Sequence, residues 1–349
     1  MLLFRFYPVP RLVAGVLFAA ILLLPGSAAR AQDSTLRYGG EIPPEVDAIY
    51  DRGLAWLVAN QAPDGSWPGN NQGPGVTGIC LMAFLASGED PNYGRYAPTI
   101  RRAVRNIIQS QDATTGYLPN SMYHHGFGML ALSEAYGTVD ESLIWQGQKP
   151  VRSIAGTLRL AIGCAAQAQK HNRFGGWRYS PDATDADMSV TGAVLMGLLA
   201  ARNAGMPVPD DVINNAMEFV HRSTGSDGSV AYTGGFGGMG GSMNLTAVAT
   251  LVGAVSKTKE SDQYKASLKR LQDNLDYHEG GNYAEYFRYY MAQALFQGDY
   301  GAWQKWNAEK IRELQTTQRD DGSFGGSYET GMSLLALALN YRFLPIYER

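Results

Sequence analysis

One phrase returns six times along the chain, and it restricts the fold more than any local signal does. It first appears over residues 52–67 as RGLAWLVANQAPDGSW: an apolar-periodic helix running into Gln61, a short polar turn, then Gly65-Ser66-Trp67. Related versions end in Gly116-Tyr117-Leu118, Gly175-Gly176-Trp177, Gly228-Ser229-Val230, Gly281-Asn282-Tyr283 and Gly322-Ser323-Phe324, with Gln111, Gln169 and Gln318 before three of them. The leading glycines lie 51, 59, 53, 53 and 41 residues apart. A regular period of this length is the mark of a repeat architecture, in which each unit buries its apolar face against its neighbours.

Each unit has two helical halves. The half before the glycine is amphipathic: Ile100, Val104, Ile107 and Ile108 share one face, and so do Ile311, Leu314 and Gln318. That spacing describes a helix buried along one stripe. The half after the glycine is apolar nearly all round, as in GVTGICLMAFLAS (75–87), SVTGAVLMGLLAA (189–201), LTAVATLVGAV (245–255) and ETGMSLLALAL (329–339). A helix of that kind belongs in an interior. The simplest closed arrangement is an all-α α6/α6 toroid over residues 45–349, with inner helices starting near 76, 124, 188, 244, 284 and 329. Asp64-Gly65 and Asp321-Gly322 suit tight turns. The aromatic two residues on would plug the gap between units, and the glutamine would bond to backbone left open at the helix end. Thr77, Thr191, Thr246 and Thr330 recur near the inner-helix starts, as caps would.

These residues carry a resemblance. Residues 52–67 resemble the QW motif of the squalene cyclase family, and the spacing Gln169-x5-Gly175-x-Trp177 repeats its ending. The chain is similar to the superfamily of terpenoid cyclases and protein prenyltransferase β-subunits, and most similar to the exported, stand-alone bacterial toroids called prenyltransferase/squalene oxidase repeat proteins. That likeness implies the toroid strongly and the activity weakly, since function lives in the site rather than the fold.

The remaining composition agrees. Glycine supplies 41 of 349 residues, nearly twice the usual ~7%. The net charge of −3 and the lack of any basic run argue against nucleic acid as a partner. Arg5 and Arg11, the apolar run 12–24 and Ala29-Arg30-Ala31 read as a secretory signal over residues 1–31, followed by a lead-in over 32–44. The apolar run of 13 residues is short for a membrane span of ~20. No integral span is therefore expected after cleavage, and the chain is expected in the periplasm or outside the cell. An intact mass measured on protein from the native host should begin at Gln32; a mass beginning at Met1 would mean a retained anchor. Cys80 and Cys164 lie in apolar surroundings, where they can be free thiols or a disulfide.

The six inner-helix N-termini should rim one mouth of the central cavity, so polar groups there are the site candidates. Asp182-Ala-Thr-Asp185-Ala-Asp187-Met188-Ser189 precedes the third inner helix. Resemblance to the Asp-x-Asp-Asp motif of class II terpene cyclases implies Asp187 as the acid that protonates an alkene or epoxide, with Asp185 beside it. Met188 and Ser189 stand where the motif has Asp and Thr. Such an acid must be held protonated in a dry cavity; the other reading makes these acids loop and N-cap groups. His124 and His125 open the second inner helix, where His125 could carry a proton or both could be structural. Tyr283, Tyr286, Glu329 and His124 are candidates to bind a ligand, since aromatic faces hold apolar groups or cations, and Tyr328 repeats the theme in the last unit. No Asp-x-Cys occurs, which disfavours zinc-dependent prenyl transfer, and no cofactor is expected. GGFGGMGGS (234–242) reads as a loop over one mouth rather than a nucleotide site. Three functions fit: an enzyme on an isoprenoid or similar apolar substrate, a non-catalytic toroid binding a lipid or peptide, or a scaffold for a protein partner.

Overall fold

The computed structural model describes residues 42–69, 72–233 and 241–347; the segment expected to be a secretory signal, most of the lead-in and most of the glycine-rich loop fall outside these residues. Thirteen α-helices and no β-strand appear among them. In chain order they are α1 (Pro44–Ala59), α2 (Pro74–Leu85), α3 (Ala97–Ser110), α4 (Met122–Ala135), the short α5 (Glu141–Ile144), α6 (Ile154–Gln169), α7 (Met188–Asn203), α8 (Asp210–Ser223), α9 (Met243–Val255), α10 (Asp262–Gln272), α11 (Ala284–Gly298), α12 (Tyr300–Thr317) and α13 (Ser327–Leu337). No described helix is long and apolar enough to cross a membrane.

The all-round apolar segments are α2, α4, α7, α9, α11 and α13. Each packs on the next, and α13 returns to α2, so the inner ring closes. The amphipathic helices α1, α3, α6, α8, α10 and α12 lie outside it. Burial follows this division. Every residue of α9 is buried, whereas α8 buries only Val212, Ile213, Ala216, Phe219, Val220 and Ser223. Each fully buried aliphatic of this kind contributes about 1.5–3 kcal/mol. The inner helices start at 74, 122, 188, 243, 284 and 327, within two residues of the positions expected from the repeat.

The recurring geometry of the turn explains why the phrase repeats. The Gln61 amide donates to the carbonyl of its own turn at Gly65 (3.1 Å) and to Thr99 on the next outer helix (3.0 Å). Gln111 bridges Gly116 and Thr157, and Gln169 bridges Gly175 and Val212. Gln318 bridges Gly322 and Ile49 on α1, which ties the sixth repeat to the first. Thus each glutamine staples one repeat to the next rather than only finishing its own helix. The aromatic plug is equally literal: Trp67 and Trp177 are buried, and their indole N–H groups donate to Leu57 and Ala165.

The fifth repeat has no such glutamine. Its turn is held instead by Tyr277 packed edge-on against Phe287 and by Lys310 of α12 donating to His278 Nδ1 (3.1 Å). Lys310 is almost wholly buried and also bonds Glu313, which a second cation, Arg288, meets at 3.0 Å. Burial would raise the Glu313 carboxyl, but these two cations hold it below the ordinary glutamate range.

The threonines are not caps. Thr77, Thr191, Thr246 and Thr330 each stand fourth in their helix, too far in to cap it. Thr191 and Thr330 instead accept the backbone N–H of Trp177 and Phe324, pinning the plug residue to the inner helix. The N-caps of α4, α7 and α9 are Ser121, Asp187 and Ser242. Cys80 and Cys164 are both free and buried.

Candidate functional site

The first turns of all six inner helices surround one cavity of about 670 Å³. Gly75, Val76 and Ile79 of α2, Tyr123 and His124 of α4, Ser189 of α7, Asn244 and Leu245 of α9, Tyr286 of α11 and Tyr328 of α13 line it. The approach segments add Ser121, Tyr179, Tyr232, Ser242, Glu279 and Tyr283. Six of these residues are tyrosines, drawn from five of the six repeats.

Below the cavity the axis is filled by rings. Tyr286 packs on Tyr290 (4.7 Å between centroids), Tyr290 on Tyr289 (4.9 Å), and Tyr123 on Phe127 (4.9 Å). The aromatic run in α11 therefore does turn rings to the axis, because a helix carrying Tyr286, Tyr289 and Tyr290 places all three on one side. Burial pushes the Tyr123, Tyr286 and Tyr290 phenols far above the ordinary range, and Tyr328 up to about 12, so these hydroxyls stay protonated.

Of the residues singled out from sequence, His124, Tyr283, Tyr286 and Tyr328 line the cavity. Tyr283 is at the exposed rim and Tyr286 is buried in the wall. His124 Nδ1 accepts the Gly75 backbone N–H at 3.2 Å, so in the neutral ring Nε2 carries the proton. Burial lowers the His124 pKa, which favours that neutral form.

His125 is placed elsewhere. It is fully buried, its Nδ1 accepts the Leu118 N–H (3.1 Å), and its Nε2 meets the Ala161 carbonyl (3.0 Å). It stands fourth in α4, where other repeats have the pinning threonine, and it does the same work on Leu118. Burial lowers its pKa to about 4. With both nitrogens held by backbone, the geometry gives His125 a structural position.

The acidic cluster divides. Asp185 is exposed and paired with Arg178 at 2.7 Å, and Asp182 is exposed too. Asp187 has no exposed surface and caps α7: its Oδ1 accepts the Val190 N–H (2.9 Å) and the Ser189 hydroxyl (2.7 Å). Its Oδ2 has no hydrogen-bond partner among the described residues, with Arg178 3.9 Å away. Burial raises its pKa above the ordinary aspartate value, against the bonds from Val190 and Ser189 and the Arg178 charge. The neighbouring carboxylates do not do this: Asp185 is occupied by Arg178. Asp187 lies behind the cavity-lining Ser189 rather than in the wall itself. Glu329 is half-buried in the first turn of α13, beside Gly325 and Gly326, and does not line the cavity.

Sequence reading passed over Tyr123, Tyr179, Tyr232, Asn244 and Glu279. Tyr123 sits beside the histidines that drew attention. Tyr179 and Tyr232 lie in irregular segments with no periodic signal, and they meet at the mouth with hydroxyls 3.4 Å apart.

No protein-family model and no curated protein matches the sequence. Solved structures share the architecture. A variant of the α-1,6-mannanase of Salegentibacter sp. in complex with α-1,6-mannotetrose superimposes with a TM-score of 0.61 at 7% identity, covering 85% of this chain and 98% of that one. A variant of the type II terpene cyclase MstE from Scytonema in complex with geranylgeranyl dihydroxybenzoate gives 0.60 at 12% identity, covering 86% and 98%. A protein from Actinoplanes gives 0.56 at 14%, covering 84% and 99%. The chain thus has the terpenoid cyclase-like α/α toroid fold, which the mannanases also have; at these identities the likeness is one of fold.

Proposed function

We propose that this chain is an exported toroid that holds an elongated, largely apolar ligand of isoprenoid kind in the tyrosine-walled cavity. Any acid-initiated chemistry there would draw on Asp187 only through the lining Ser189, since Asp187 is not itself in the wall. The observation that carries the reading is the wall itself: six tyrosines around about 670 Å³ at the inner-helix N-termini. That volume lies within the ~300–1,000 Å³ usual for small-ligand sites. An open, aromatic mouth supports a ligand-binding role over a scaffold with a filled centre.

A second reading, carbohydrate binding, draws on the hydroxyl-rich rim of Ser121, Ser189 and Ser242. Sugar hydrolysis usually needs two carboxyl groups roughly 5–9.5 Å apart across the bond. Glu279 is the one carboxylate among the described residues lining this cavity, which supports binding over hydrolysis.

Titration of the purified chain with geranylgeraniol should quench its aromatic fluorescence saturably, whereas α-1,6-mannotetraose should not. The reverse result would replace the isoprenoid reading by the carbohydrate one. Asp187→Asn separates cap from acid. Its amide oxygen can keep the bonds from Val190 and Ser189 while the acidic proton is lost. Because the folded pKa is raised, the favourable contribution of Asp187 is complete below the unfolded value of 3.8 and declines as pH rises through the folded pKa. At pH 7 Asp187→Asn should therefore leave the melting temperature unchanged or higher, and Asp187→Ala should lose ~1 kcal/mol of capping. Isoprenoid turnover that survived in Asp187→Asn would remove Asp187 as the acid.

A further inference from the structure

We infer that the cavity selects a neutral oxygen-bearing end group, a hydroxyl or carbonyl, received by the Nε2–H of His124, and that it discriminates against both the hydrocarbon and the diphosphate of the same skeleton. This rests on the proposed ligand-binding role and names the chemistry of the ligand's end.

The argument begins with a locked tautomer. Gly75 donates its N–H to His124 Nδ1, so the remaining proton is on Nε2. That nitrogen has no partner among the described residues, and His124 lines the cavity. The ring is fixed from behind as well: side chains at Gly73 or Gly75 would run into it. His124 is thus a neutral donor of fixed aim.

The surrounding wall is built for an oxygen. Asn244, 7% exposed, carries an amide oxygen without a hydrogen-bond partner among the described residues, while the Tyr286 hydroxyl lies within reach of Tyr290. The Tyr123 hydroxyl, from the residue beside His124, is buried against Tyr328 of the same wall. A buried polar group left without a partner is unfavourable, so the Asn244 oxygen and the His124 Nε2–H both stand to gain from a group that donates and accepts.

Charge excludes the anion. Among the described residues neither lysine nor arginine lines the cavity, and Glu279 does. The positive ends of the inner helices are partly answered already: Ser121, Asp187 and Ser242 cap α4, α7 and α9, and an N–H of α2 is given to His124. A diphosphate would meet a carboxylate and no cation, which is unfavourable in a low-dielectric pocket.

The test measures affinities of the purified chain for geranylgeraniol, geranylgeranyl diphosphate and the corresponding hydrocarbon, before and after substitution of His124. The alcohol should bind tightest. His124→Leu should weaken the alcohol about tenfold, the worth of one hydrogen bond near 1.4 kcal/mol, and leave the hydrocarbon unchanged. His124→Gln, which can still accept from Gly75 and donate into the cavity, should restore most of the loss. Equal affinity for alcohol and hydrocarbon, or tighter binding of the diphosphate, overturns this inference while leaving the binding role standing. Binding of none of the three overturns both. A matching loss of hydrocarbon affinity in His124→Leu means that the ring only shapes the wall, and also overturns it.

Discussion

Gly322→Ala is expected to destabilise the protein by at least ~3 kcal/mol, while Gly281→Ala costs about 1 kcal/mol. Both glycines have left-handed backbone, with φ of 92° and 71°, so both substitutions carry the ~1–2 kcal/mol steric penalty of an L side chain there. They differ in what lies opposite. A Cβ at Gly322 would collide with the Arg52 carbonyl of α1, a backbone atom that cannot step aside; a Cβ at Gly281 meets nothing within 4 Å. Gly322 also sits in the seam that closes the ring. There Gln318 bonds Ile49, the Arg52 guanidinium donates to the Arg319 carbonyl at 2.6 Å, and the Trp56 indole donates to Asp321 at 3.1 Å. Moving the turn to fit a methyl group would weaken all three. At roughly 2 °C or more per kcal/mol for a domain of this size, thermal melting should show Gly322→Ala lower by about 6 °C or more and Gly281→Ala by about 2 °C. Equal shifts would mean that the seam between first and last repeats adds nothing beyond local strain.

Acid should weaken the fold through His125 before the carboxylates held below their ordinary values titrate. The folded pKa of about 4 lies below the free value of 6.5 because burial disfavours the charged ring. Between these values the unfolded chain binds the proton and the folded chain does not, so stability rises with pH across that window. The contribution is complete above pH 6.5 and is lost as pH falls toward 4. At 1.36 kcal/mol per unit, about 3 kcal/mol is at stake. His124 is lowered by burial as well and adds in the same direction. The carboxylates held below their ordinary values, such as Asp112, Asp227 and Asp321, act below their free value of 3.8, whereas Asp187, raised above that value by burial, acts inside this window with the opposite sign, so the histidine share is read from the variant. Denaturant unfolding at pH 7 and pH 4.5 reads the slope. His125→Thr puts the repeat's own pinning residue at the position and should flatten it, though the smaller side chain will lower stability at pH 7. An unchanged slope in His125→Thr would remove His125 as the source.

The two results bear on the proposed site in different ways. Gly322 tests the closed ring that brings α13 beside α2, without which Tyr328 and Val76 would not line one cavity. His125 tests whether the histidine pair is divided in labour: His125 holding Leu118 to α4, and His124 turned to the cavity. Adjacent helical positions point about 100° apart, which is why one ring can be wholly structural while its neighbour reaches the ligand space.

What the sequence determined by itself was the repeat and everything local to it. Periodicity separates buried from half-buried helices, Gly-x-aromatic marks the turns, and both signals are contained within about 15 residues, so the toroid and the inner-helix starts could be read before any coordinates. The tertiary structure decided the rest. That Gln318 bonds Ile49, 269 positions away, that Thr191 pins Trp177 rather than capping α7, and that Asp187 is the cap, are facts of contact between segments. The cavity wall is the extreme case. Tyr123, Tyr179, Tyr232, Tyr286 and Tyr328 come from five repeats, and no spacing in the chain relates them; only closure of the inner ring, driven by burial of helices that are apolar on every side, puts them around one space.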